Sequence, residues 1–119
     1  LGPAETLPAN GWPMERLRAS LAAGRADRHF LAVLVLSGRM SPIHRGHIEA
    51  MHQAQRRLED RGFAVLAGGL SPHPDQVMRP GDLSASLRLR LAQLAVHDAP
   101  LLDVASWEAS ASSAVGQAG

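Results

Sequence analysis

Two histidines three residues apart, His44 and His47, stand just behind the longest apolar run of the chain, with Arg45 and Gly46 between them. A neutral imidazole carries one N–H donor and one acceptor, and a protonated one carries two donors. A close pair can therefore hold phosphate oxygens and offset their charge near neutral pH. Other chemistries are excluded or poorly served. The chain has no Cys, so there is no thiol nucleophile, disulfide framework or Cys-ligated zinc. A zinc site from His44, His47 and His52 lacks a fourth ligand, and the last two are five apart on the predicted helix. His29, His52, His73 and His97 read as ordinary solvated side chains.

The elements around the pair are those an anion site needs. Phe30 to Leu36 is a continuous apolar run, as expected of a strand covered on both faces and flanked by other strands. Ser37-Gly38-Arg39-Met40-Ser41-Pro42 then breaks it. Gly38 allows close approach of a ligand to the main chain, Pro42 stiffens the turn, and Gly46 removes a side chain where a helix opens. The helix is predicted over about 46–61, with Ile48, Met51, Gln55 and Leu58 inward, Arg56, Arg57, Glu59, Asp60 and Arg61 solvated, and Gly62 as C-terminal cap. Free N–H groups and the positive dipole end at such a helix start favour a phosphate.

Gly38-Arg39-Met40-Ser41-Pro42-Ile43-His44-Arg45-Gly46-His47 resembles the GxFxPxHxGH signature of the nucleotidyltransferase superfamily, with Met40 where an aromatic is usual. Later segments are similar to its eukaryotic-type nicotinamide-nucleotide adenylyltransferases: Ser71-Pro72 to the SP loop, Asp82-Leu83-Ser84-Ala85-Ser86 with Arg88 to the DLxAS helix, and Val104 to Glu108 to the VxxWE segment. The resemblance implies transfer of AMP from ATP to nicotinamide or nicotinate mononucleotide, forming NAD and pyrophosphate, with Mg2+ carried on the ATP phosphates. It puts His44 and His47 at phosphates as the catalytic pair. It also puts Ser37, Gly38, Arg39, Met40 and Gly46 at the phosphate turn, Ser71, Arg79 and Arg88 among the nucleotide contacts, and Trp107 and Glu108 at the nicotinamide ring. That family usually has Lys before its DL, where this chain offers only Arg79. Read without the resemblance, Trp107 serves equally as core, Glu108 as a solvated or loop-capping residue, and Arg88 as an ordinary solvated or ion-paired one.

Along the rest of the chain, Phe63 to Ala67 predicts a second strand, parallel to the first through a right-handed crossover. Gly68 to Gly81 predicts a long loop, and Asp82 the N-cap of a helix to about His97 with Leu83, Leu87, Leu91, Leu94 and Ala95 inward. Leu101 to Val104 predicts a third strand. A helix from Pro13, with Met14, Leu17 and Leu21 on one face and Gly24 ending it, is a packing appendage to which no chemistry is assigned. The organisation is thus an N-terminal extension over 1–29, a nucleotidyltransferase-like (cytidylyltransferase-like) domain over 30–108 and a flexible tail over 109–119. The fold class expected is α/β, a Rossmann-like three-layer α/β/α arrangement with a parallel sheet, truncated to its first half of about three strands.

Length of 119 residues bounds the chain to one domain, and a net charge of +1 makes no electrostatic case for nucleic acid or a membrane surface. Every one of the 12 cationic residues is Arg. The N-terminus has neither the basic region nor the apolar core of a secretory signal and no initiating Met, which reads as a fragment or a processed chain. The compartment is left open by the sequence, with an intracellular place, cytoplasmic or nuclear, as the expectation. Nothing after Trp107 resembles the later Ser/Thr-Arg motif of that family, so the open edge of the first strand is expected to be covered by another chain as in a homo-oligomer, by the N-terminal helix, or by a missing C-terminal half. The alternatives are an inactive or partial nucleotide-binding module and a cytidylyltransferase-type homologue.

Overall fold

The computed structural model describes residues 12, 14–23 and 30–110. Helix α1 (Met14–Ala22) precedes strand β1 (Phe30–Gly38), helix α2 (Arg45–Asp60), strand β2 (Phe63–Pro72), a 3-10 turn (Asp75–Val77), helix α3 (Ala85–Val96) and strand β3 (Leu102–Val104). The three strands form one parallel sheet in the order β1-β2-β3. β1 pairs with β2 from Phe30 opposite Phe63 to Gly38 opposite Pro72, with one register shift after Ala32. This is the Rossmann-like α/β arrangement expected of the alternation of apolar runs and helical periods. The extension over 1–29 is described only in part, and the tail after residue 110 lies outside the described residues.

Right-handed crossovers between neighbouring parallel strands put α2 and α3 on one side of the sheet. On that side Leu34 and Leu36 of β1, Ile48 and Met51 of α2, Leu70 of β2, Leu89, Ala92 and Val96 of α3, and Leu102 and Val104 of β3 make the core. Gly68 is required there, because a Cβ would lie 2.7 Å from Leu102 Cδ2 and 2.9 Å from Met51 Cε. Asp103 alternates to the other side, where its carboxylate receives Arg16 of α1 at 2.9 Å. Ser20 of α1 donates to the Leu66 carbonyl of β2. Helices thus cover both faces of the central strand, whose residues from Ala64 to Pro72 are all buried.

Four expectations are corrected. β2 runs on to Pro72, so the first five of the fourteen residues of the predicted loop are strand, held on one side by β1 and on the other by β3. Asp82 is not the N-cap of α3: Ser84 is, its Oγ accepting the Leu87 N–H at 3.3 Å. The inward side of α3 is Ala85, Arg88, Leu89, Ala92 and Val96, while Leu87 and Leu94 face out. Small residues allow α3 close to the sheet, and a bonded arginine lies on the inward side in place of the leucine stripe. In α1, likewise, Leu21 is exposed and Ser20 is the buried residue.

Candidate active site

β1 and β2 end beside each other, Gly38 opposite Pro72, and the Gly38 carbonyl accepts the His73 N–H at 2.9 Å. In a parallel α/β sheet the carboxyl ends of the strands are where ligands bind, and the segments bearing the predicted site residues start there. Met40 has φ +49, the left-handed conformation that sharpens the turn, and its side chain is 2% exposed in the core. Position 40, an aromatic in the signature, is therefore a core residue whose backbone makes the turn. A Cβ added to Gly38 would meet nothing within 4 Å, so the turn is open at that point.

His44 and His47 lie face against face at the start of α2, ring centroids 4.0 Å apart and inclined by 36°. Each caps the helix for the other. His44 Nδ1 accepts the Gly46 N–H at 3.0 Å, and His47 Nδ1 accepts the His44 N–H at 3.0 Å. This is the geometry of a capping box with imidazoles in both places. Gly46 makes it feasible, since a Cβ there would stand 2.7 Å from His44 Cε1 and 2.9 Å from its Nδ1. With each Nδ1 occupied as an acceptor, the neutral rings carry their proton on Nε2 and present it as a donor. Burial and the adjacent His44 ring push the His47 imidazole below its usual range, which favours that neutral form. The His44 and Gly46 N–H groups are taken up internally, so at these two positions the anion donors are imidazole, not backbone.

Two loops reach the same end of the sheet. Arg39 donates through Nη2 to both carboxylate oxygens of Asp82 at 2.7 and 2.8 Å, and the Arg79 N–H donates to Asp82 Oδ2 at 2.8 Å. The Arg79 N–H, then the Arg39 guanidinium, hold the Asp82 carboxyl below its usual range. The Leu83 N–H reaches Ser41 Oγ at 2.8 Å. From the segment after β3, Glu108 accepts the Ser37 hydroxyl at 2.8 and 3.1 Å, which brings the WE pair to the end of β1. Trp107 is 55% exposed, which overturns its reading as core, and Glu108 is tied to β1 instead of being simply solvated.

Ser71 is buried at the end of β2, in register with Ser37. Arg88 is neither solvated nor at the surface of the site. It is 0% exposed, and its hydrogen bonds among the described residues run to Leu83, Arg39, His73 and Asp75. The sequence reading missed Asp82 as a latch between the turn and the second loop. It also missed Asp75, which accepts the Ala85 N–H at 2.7 Å. An acid right after Pro74 was the available signal for a helical turn there.

This turn, histidine pair and parallel sheet define a class of protein. The chain belongs to the cytidylyltransferase-like family, whose model matches residues 35–114. At finer grain it is similar to nicotinamide/nicotinic acid mononucleotide adenylyltransferases. It is 34% identical to the one of Oryza sativa subsp. japonica over 98 residues, 82% of this chain and 39% of that protein. It is 33% identical to the one of Arabidopsis thaliana over 100 residues, 84% of this chain and 41% of that protein. To adenylyltransferase 2 of Xenopus tropicalis it is 35% identical over 77 residues, 64% of this chain and 25% of that protein. The chain thus spans about two fifths or less of the length of these curated relatives.

Proposed function

We propose that the chain carries the phosphate-handling part of an adenylyltransferase that joins AMP from ATP to nicotinamide or nicotinate mononucleotide, releasing pyrophosphate. The observation that carries this reading is the mutual capping of His44 and His47, which leaves two Nε2–H donors side by side next to an open turn. In the proposed step a phosphate oxygen of the mononucleotide attacks the α-phosphorus of ATP. The new phosphorus–oxygen bond forms as the bond to pyrophosphate breaks. Such chemistry asks little of the protein beyond alignment and neutralisation of charge. The two imidazoles donate to triphosphate oxygens, the backbone of Gly38, Arg39 and Met40 lines the turn, and Arg39 adds a guanidinium 47% exposed at its edge. Mg2+ enters on the ATP phosphates. Imidazole nitrogen suits phosphate better than this ion, which prefers oxygen ligands. Trp107 and Glu108, brought to the end of β1, are offered to the pyridine ring.

The test is incubation of the chain with ATP, magnesium and nicotinamide mononucleotide, reading NAD and pyrophosphate. His47→Ala is expected to remove product, because one such donor is worth on the order of 3 kcal/mol of barrier. Nucleotide bound without turnover points to a binding module. No binding by the wild-type chain overturns both.

A further inference from the structure

Arg88 is a fully buried cation whose guanidinium bonds three backbone carbonyls and one carboxylate, a large commitment for one side chain. Its Nε donates to the Leu83 carbonyl at 2.8 Å, Nη1 to those of Arg39 at 3.1 Å and His73 at 2.6 Å, and Nη2 to Asp75 Oδ1 at 3.1 Å. Leu83 precedes α3, Arg39 is in the turn after β1, and His73 follows β2. A single planar fork thus joins the three segments that surround the candidate site, and desolvation keeps its bonds strong.

We infer that Arg88 is a positioning residue that aims the Met40 N–H at the nucleotide phosphate by holding the Arg39–Met40 peptide in one orientation; this rests on the function proposed above. Among the described residues the only cis bond is Ser41–Pro42, so the Arg39–Met40 peptide is trans. In a trans peptide C=O and N–H point in opposite directions. Drawing the Arg39 carbonyl inward to Arg88 therefore turns the Met40 N–H away from the guanidinium, to the opposite side of the turn. Met40 already holds a left-handed φ that a non-glycine residue adopts at a cost, so the peptide needs an outside anchor to stay there. Arg88 acts on phosphate through this peptide and does not touch it.

The experiment compares Arg88→Lys with Ser20→Ala in the 119-residue chain. The first keeps a cation but loses the fork. The second loses a buried hydrogen bond from α1, on the opposite side of the sheet from α3, and serves as a control for the loss of a buried bond away from the site. Binding of ATP with magnesium is measured by calorimetry, and the free proteins are compared by amide NMR. Arg88→Lys is expected to bind at least tenfold more weakly and to displace the Met40 amide signal, while Ser20→Ala does neither. Equal affinity in Arg88→Lys and wild type, or an equal loss in both variants, overturns the assignment. If the wild-type chain binds no nucleotide, the functional reading falls, and the Met40 signal alone decides on Arg88: unmoved in Arg88→Lys, it overturns the inference.

Discussion

Gly46 shows how much of the site is decided by a missing side chain. Replacing it with Ala puts a methyl group within 2.9 Å of two ring atoms of His44, and the ring must leave. Two effects on stability then oppose each other. Ala gains about 0.5–1 kcal/mol over Gly within a helix, and loss of a cap costs about 1 kcal/mol. They nearly cancel, so Gly46→Ala should melt within a few degrees of wild type while its affinity for ATP falls at least tenfold; melting followed by calorimetric titration checks both halves. His47 adds a pH dependence. Its folded pKa lies below the ordinary value, so the stability held by the neutral ring is complete above about 6.5 and declines as pH falls through the folded value, flattening below it. Protonation at Nδ1 also breaks its bond from the His44 N–H. Between pH 8 and 5, wild type should lose more melting temperature than His47→Gln, and the His47 ring signals in NMR should titrate below 6.5.

Among the elements, α2 could be read from the sequence and α3 only in part. The α2 periodicity places Met51 in the core, and Gly62 at φ +92 ends the helix as foreseen. In α3 the leucine count misled. Leu87 and Leu94 lie outside, and the buried positions are Ala85, Arg88, Leu89, Ala92 and Val96. Hydrophobicity alone cannot place a cation inside, since that depends on carbonyls contributed by segments distant in sequence. Asp82 failed as a cap for the same reason: Arg39 and the Arg79 N–H claim its carboxylate. The corrected face makes a prediction. Leu94→Gln should change stability by no more than about 0.5 kcal/mol. Leu89→Ala, by contrast, should cost about 2–4 kcal/mol, and urea denaturation followed by circular dichroism distinguishes the two. The pairing of His44 with His47 was legible because the two lie three residues apart; the Asp82 latch and the Ser37–Glu108 bond were not, because they span 43 and 71 residues.

At the scale of the molecule, β1 is the unusual strand. Its sequence is apolar on both sides, as suits a strand inside a sheet, yet it has β2 on one edge and no strand on the other among the described residues. Leu34 and Leu36 pack against the core, while Val33 and Val35, on the other face, are 50% and 51% exposed. α1 packs on β2 and leaves them open. An unpaired edge beside an apolar face is a template for association. The 119-residue chain should therefore elute at an apparent mass that rises with concentration. A charge on the open face of an edge strand opposes such pairing at little expense to the fold, because the side chain points to water. Val33→Lys should restore a constant, monomeric elution volume with an unchanged melting temperature and unchanged ATP affinity, since the site lies at the far end of β1. An elution volume independent of concentration in wild type, or lost affinity in Val33→Lys, would show that this edge is not the exposed liability its composition suggests.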